Sequence, residues 1–335
     1  MNRNSLVVLS MALLFVFIFI FSLFIGRFPL PPGQIWRVLL GFLSGEHTPH
    51  KGGQAWSVFY YLRLPRVILV AGVGAALAVT GAAYQSVFRN PLVSPDILGV
   101  SAGAGFGVAL GMLLTGDILV YLLAFICGIL AVGLTFLIAK LAGSGMMIMV
   151  LGGIAVSALF NAAISLLKYL ADPYDQLPGI IFYLMGGFSR VGWSEVVFTL
   201  PLLILGVGLI YLLRWVLNIM SMGEEEALAL GLNVRLLRGV MIGVSTLMVS
   251  AAVATTGQIT WFGLLIPHMA RYLAGADHRY MIPTAALLGS SLLLIMDDLA
   301  RNLSGAEIPI SIISAFLGAP FFIYLLLYRR ESGWN

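Results

Sequence analysis

Few residues in this 335-residue chain are of a type that performs chemistry. His47 and His50 stand three apart in a Gly-rich stretch, and His268 and His278 flank a second polar break. Neither pair has a carboxylate or thiolate at ligand spacing, so no metal site is expected. Cys127 is the sole cysteine and lies in an apolar run, which reads as packing. No nucleophile can be paired with a base, and the phosphate-binding pattern G-x-x-x-x-G-K-[ST] does not occur. The expectation is therefore a chain with no catalytic residue and no cofactor of its own, so that any ATP chemistry belongs to a separate protein.

The remaining polar residues fall into patterns that suit binding and movement. Asp297 precedes Arg301 by four positions, the spacing of a helical ion pair. No Asp, Glu, Lys or Arg stands in the central third of any apolar run, which argues against an ion-coupled carrier. Gly153, Ser157, Asn161 and Ser165 repeat every fourth residue and give one helix a small, polar face. Such a face either bonds a neighbouring helix or lines a wet path. Gly99, Gly103, Gly107 and Gly111 have the same spacing with no polar group, and read as a smooth stripe for close helix packing.

One segment is out of character with its surroundings. In "SMGEEEALALGLNV" (221–234), Ser221 and Gly223 precede Glu224, Glu225 and Glu226, then Ala227 to Leu230, then Gly231. Acidic residues favour the positive end of the helix dipole, and glycine favours the C-terminal cap. This predicts a two-turn helix outside the lipid whose apolar edge, Leu228 and Leu230, suits docking into a soluble partner. The other reading is a linker kept in water by its charges.

The elements that would position these residues follow from composition. At 60% hydrophobic residues and a mean hydropathy of +1.03, the chain carries more apolar surface than a soluble core of this length buries. Apolar runs predict spans near 5–26, 64–84, 97–115, 118–139, 146–167, 195–217, 240–257, 259–273, 283–300 and 308–328. The first is too long for a cleaved signal and is expected to be retained. An even number of crossings puts both termini on one side, and Arg3, Arg329 and Arg330 suggest the cytoplasm. Ten basic residues then fall inside and eight outside, a thin margin that a docking partner on the outer face would explain. Scattered arginines exclude nucleic acid as a partner. Ala76, Ala78, Thr80, Gly81, Pro91 and Gly99 recur 176 positions later as Ala252, Ala254, Thr256, Gly257, Pro267 and Gly275, which would make an inverted repeat.

Several segments together resemble the FecCD family of ABC-importer permeases for iron chelates, haem and cobalamin. They are "RLPR" (63–66), "GAALAVTGAAYQSVFRNPLVSPDILGVSAGA" (74–104), "LMGGFSRVGW" (184–193), "SMGEEEALALGLNV", "GLLIPHMAR" (263–271), "DDLAR" (297–301) and "IPISIISAFLGAPFFIYLLL" (308–327). The resemblance implies an all-α polytopic fold of ten transmembrane helices with an inverted repeat, forming a single permease domain over 1–335. It also implies a homodimer in the inner membrane of a bacterium or archaeon, two ATP-binding cassette subunits that use ATP–Mg, and a substrate-binding protein on the outer face. Gly223, Glu224, Glu225, Glu226, Ala227, Leu228, Leu230 and Gly231 match the family's coupling helix, within about 221–236. Arg63, Arg66 and Arg301 match positions that meet the binding protein. The fifth and tenth spans would line the path, which adds weight to Gly153, Ser157, Asn161 and Ser165. "GQITWFGL" (257–264) and "IPISI" (308–312) depart from the family pattern with larger side chains near that path. The expected cargo is a metal chelate, with molybdate or tungstate as the alternative. A secondary transporter and a scaffolding membrane protein are the readings from other classes.

Overall fold

A computed structural model describes residues 2–28, 30–43, 53–114, 117–143 and 146–328. His47, His50, Lys51, Arg329 and Arg330 lie outside the described residues. Within them the chain is helical, with no strand. In order come α1 (Arg3–Phe24), α2 (Pro32–Leu43), α3 (Gln54–Ser57), α4 (Leu64–Val87), α5 (Val100–Leu114), α6 (Asp117–Ala142), α7 (Met146–Leu170) and α8 (Gln176–Leu184). They are followed by α9 (Trp193–Leu212), α10 (Arg214–Met222), α11 (Glu224–Ala229), α12 (Val234–Thr256), α13 (Phe262–Ala274), α14 (His278–Asn302) and α15 (Ile310–Tyr328).

Seven of these are long and apolar enough to cross a membrane: α1, α3 running through a π-helical turn into α4, α6, α7, α9, α12 and α14. Two shorter apolar helices, α5 and α15, correspond to the third and tenth predicted spans. α13, with 13 residues, stands where the eighth was expected. The predicted ends shift where the backbone breaks. The sixth run divides at Leu213 into α9 and α10 instead of continuing to 217. The third begins as a tight turn (Pro95–Leu98) that ends at Gly99, whose φ of +83° a side chain would strain. Two helices were not anticipated. α2 is short and amphipathic, and α8 is a nine-residue apolar helix packed against α5, so neither stands out in a span-length window.

α4 is the axle of the bundle. Nearly all its residues are buried, because α9, α12, α13 and α14 pack around it. Gly74 faces the backbone of Gly289 so closely that a Cβ on either would clash, which draws α4 and α14 together. The glycine stripe behaves as expected at Gly103, Gly107 and Gly111, which meet Cys127, Leu123 and Val120 on α6. Gly99 leaves the stripe and faces Val156 and Ser157 on α7. Cys127 is buried in this contact.

Candidate functional site

The short acidic helix forms where the sequence places it. α11 begins after Gly223 and ends in a Schellman turn: the Leu232 amide donates to the Ala227 carbonyl (3.1 Å) and the Gly231 amide to that of Leu228 (2.9 Å), with Gly231 at φ +75°. Ala227 is fully buried against the bundle, while Leu228 and Leu230 remain 58% and 64% exposed. Glu224, Glu225 and Glu226 are exposed too. Glu224 pairs with Arg238 of α12 at 3.2 Å and ties the start of α11 to the following helix.

The base of α11 connects to the axle through three side chains. Asn218 on α10 donates from Nδ2 to Asp277 (2.9 Å), and its Oδ1 accepts from the His278 backbone amide (2.9 Å) and from His278 Nδ1 (2.6 Å). An amide oxygen only accepts, so Nδ1 carries the imidazole proton and Nε2 is left to accept from the Ser86 hydroxyl at the end of α4. Asn218, His278 and Ser86 thus join α10, α14 and α4 in one chain of contacts. The bonds from Arg279 N and Asn218 hold the Asp277 carboxyl below the usual range. In the sequence His278 has no role beyond flanking a polar break, and this bridge is not visible there.

At the opposite end of α4, about 30 Å from Ser86 to Arg66 by helical rise, the three candidate docking arginines come together. They are not presented to solvent, since Arg63, Arg66 and Arg301 are 4%, 8% and 4% exposed. Arg63 closes the C-terminus of α1 by donating to the carbonyls of Leu23 (2.9 Å), Phe24 (3.0 Å) and Phe28 (2.6 Å). Arg66 grips Asp297 (2.8 Å) and makes a two-pronged bond with Glu307 (2.9 Å on each prong). Arg301 meets Asp297 at 3.1 Å, the expected i,i+4 pair, and also Asp298, whose other oxygen accepts from Ser22 of α1 (2.6 Å). Arg66 and Arg301 share Asp297, Asp298 and Glu307, while Arg63 is held by backbone carbonyls, so three cations stand with three carboxylates in one cluster.

The polar stripe on α7 divides. Gly153 packs against the Ile97 carbonyl, and Ser157 Oγ reaches the Asp96 carbonyl at 3.4 Å, so this half serves helix contact. Asn161 and Ser165 are exposed, with Ser165 Oγ bonded back to the Asn161 carbonyl (3.0 Å). The two segments that depart from the family pattern meet at the end of α8. The Ile310 amide donates to the Gly186 carbonyl (2.9 Å), Ser311 Oγ to that of Met185 (2.5 Å), and the Gly187 amide to that of Thr256 (2.7 Å). Gln258 bonds the Ser101 carbonyl (3.0 Å), and Trp261, in the left-handed region at φ +69°, packs against Gly318 and Phe322 of α15.

A model of the FecCD transport family matches residues 14–328. The chain belongs to this family. It is 37% identical to the molybdate import system permease protein MolB of Haemophilus influenzae, over 98% of this chain and 97% of that one. To the hemin transport system permease protein HmuU of Yersinia pestis it is 38% identical, over 83% and 85%. A solved structure of a metal-chelate type ABC transporter in an inward-facing conformation superposes with a TM-score of 0.86 at 35% identity, covering 97% of this chain and 99% of that one.

FecCD membership fits a multi-pass transport protein built of apolar helices. The sequence showed the Asp297–Arg301 pair but not the other partners of the arginines. Glu307 is 241 positions from Arg66 and Ser22 is 276 from Asp298, separations that no periodicity can reveal. The Asn218 bridge was invisible for the same reason, because 60 residues separate it from His278.

Proposed function

We propose that this chain is the permease subunit of an ATP-driven importer, a single transmembrane domain of ten crossings with both termini in the cytoplasm of a bacterial or archaeal cell. It works as a homodimer with two ATP-binding cassette subunits, which use ATP–Mg, and with a substrate-binding protein on the outer face. The chain binds no cofactor and makes no covalent bond. The observation that carries this reading is α11. Its inner side is locked by Ala227, by the Glu224–Arg238 pair and by the Asn218–His278–Ser86 bridge, while Leu228, Leu230, Glu225 and Glu226 stay exposed. A rigid helix anchored to the axle of the fold and exposing an apolar edge can convert closure of a soluble motor into helix movement.

The binding protein is placed over the arginine cluster. Glu307, whose side chain is 23% exposed, is the carboxylate that a partner's acidic residue would displace from Arg66. Arg63 and Arg301 support that position from below. The path runs past Asn161 and Ser165, with Gly153 and Ser157 holding α7 to the 95–98 turn. Each of the breaks after α4 and α12 is followed by a short helix, α5 or α13, which suits two inverted halves.

The cargo is a metal chelate such as a ferric siderophore, haem or cobalamin. The likeness to a molybdate permease over nearly the whole chain favours a second reading, a small oxyanion. Reconstitution in vesicles tests the function. Uptake should require the ATPase subunits and ATP, and uptake by this chain alone would replace the reading with secondary transport.

A further inference from the structure

On the α11 side of the bundle, an apolar groove of about 600 Å³ lies between α1, α4, α9 and α14. Gly72 of α4 and Gly208 of α9 contribute to its walls, with Val8 of α1, Tyr211 near the end of α9, and Ile282 and Pro283 in the second turn of α14. A Cβ added at Gly208 would meet nothing within 4 Å, so the glycine leaves real space. The groove lies within the membrane-spanning helices and offers water almost no polar partner, so hydrocarbon is its natural filling.

Two arginines neighbour residues that line the groove. The Arg214 guanidinium lies 4.5 Å from the centre of the Tyr211 ring and donates to the Tyr211 carbonyl (3.0 Å), which places a cation directly beyond the groove wall. Arg279 precedes Ile282 and Pro283 by three and four residues and so shares their face of α14. Asp277 at the same helix start is bonded to Asn218 and to the Arg279 amide. Basic sites between membrane helices, at the level of the headgroups, suit anionic lipids.

We propose that this groove is a binding site for an anionic phospholipid, with one acyl chain against Gly208 and Tyr211 and the phosphate at Arg214 and Arg279. The lipid would brace α9 against α14, the two helices that flank the base of α10. The site is independent of cargo and motor, so it stands or falls apart from the transport reading.

The test is lipid retention by the purified full-length chain after detergent exchange in mixed phosphatidylglycerol and phosphatidylcholine, read by mass spectrometry of bound lipid. Wild type should retain phosphatidylglycerol in preference. Gly208→Leu, which fills the groove without a backbone clash, should abolish that preference. Arg214→Gln and Arg279→Gln, both outside the core, should each weaken it about fivefold. Equal retention of the two lipids by wild type, or an unchanged preference in Gly208→Leu, would overturn the site. An unchanged preference in both arginine variants would overturn the placement of the phosphate.

Discussion

Replacing Leu228 and Leu230 of α11 by serine isolates the docking role from the fold. Both side chains are more than half exposed, and the buried contact of the helix is made by Ala227, so the bundle itself should lose little. Full burial of a leucine is worth about 1.5–3 kcal/mol. Scaled by the 58% and 64% that a partner can still cover, the pair should contribute roughly 2–3.5 kcal/mol to association. That corresponds to on the order of 100-fold weaker binding, with further loss from imperfect repacking of the partner's cleft. Calorimetric titration of the purified chain with its ATPase subunit measures this directly, with thermal melting in detergent as the control for folding. Binding within about twofold of wild type, at unchanged melting temperature, would refute the argument that this apolar edge is a docking surface.

Other perturbations probe the remaining parts. Asp297→Ala leaves Arg66 and Arg301 buried without their shared carboxylate and should cost about 3–5 kcal/mol, seen as a marked fall in detergent melting temperature; an unchanged melt would mean the cluster is not structural. Asn161→Leu, at an exposed position on α7, should leave melting unchanged but reduce ATP-dependent uptake at least several-fold; wild-type uptake would remove Asn161 from the path.

What could be read from the sequence depended on how far apart the interacting residues stand. The apolar runs gave most membrane helices because a span is a local property of about 20 residues. α11 was legible for the same reason, since its acidic start and its Gly231 stop lie within one short window. The exposed half of the α7 stripe at Asn161 and Ser165 could not be separated from the packed half at Gly153 and Ser157, because the spacing is identical and only the 95–98 turn distinguishes them. The arginines show the limit most plainly. The family resemblance implied a docking role for Arg63, Arg66 and Arg301, and only the local Asp297–Arg301 pair was legible, whereas the carboxylates and carbonyls from α1 and the loop before α15 that also bond them come from far along the chain.

In the proposed function, α11 is the lever between a separate motor and the membrane helices. Its most direct test is to replace Glu224, Glu225, Glu226 and Leu228 with glycine and serine, and to measure uptake and ATP hydrolysis side by side in vesicles at saturating ATPase subunit. The expected result is continued hydrolysis with uptake lost. Full uptake at the wild-type ratio of cargo to ATP would contradict the account.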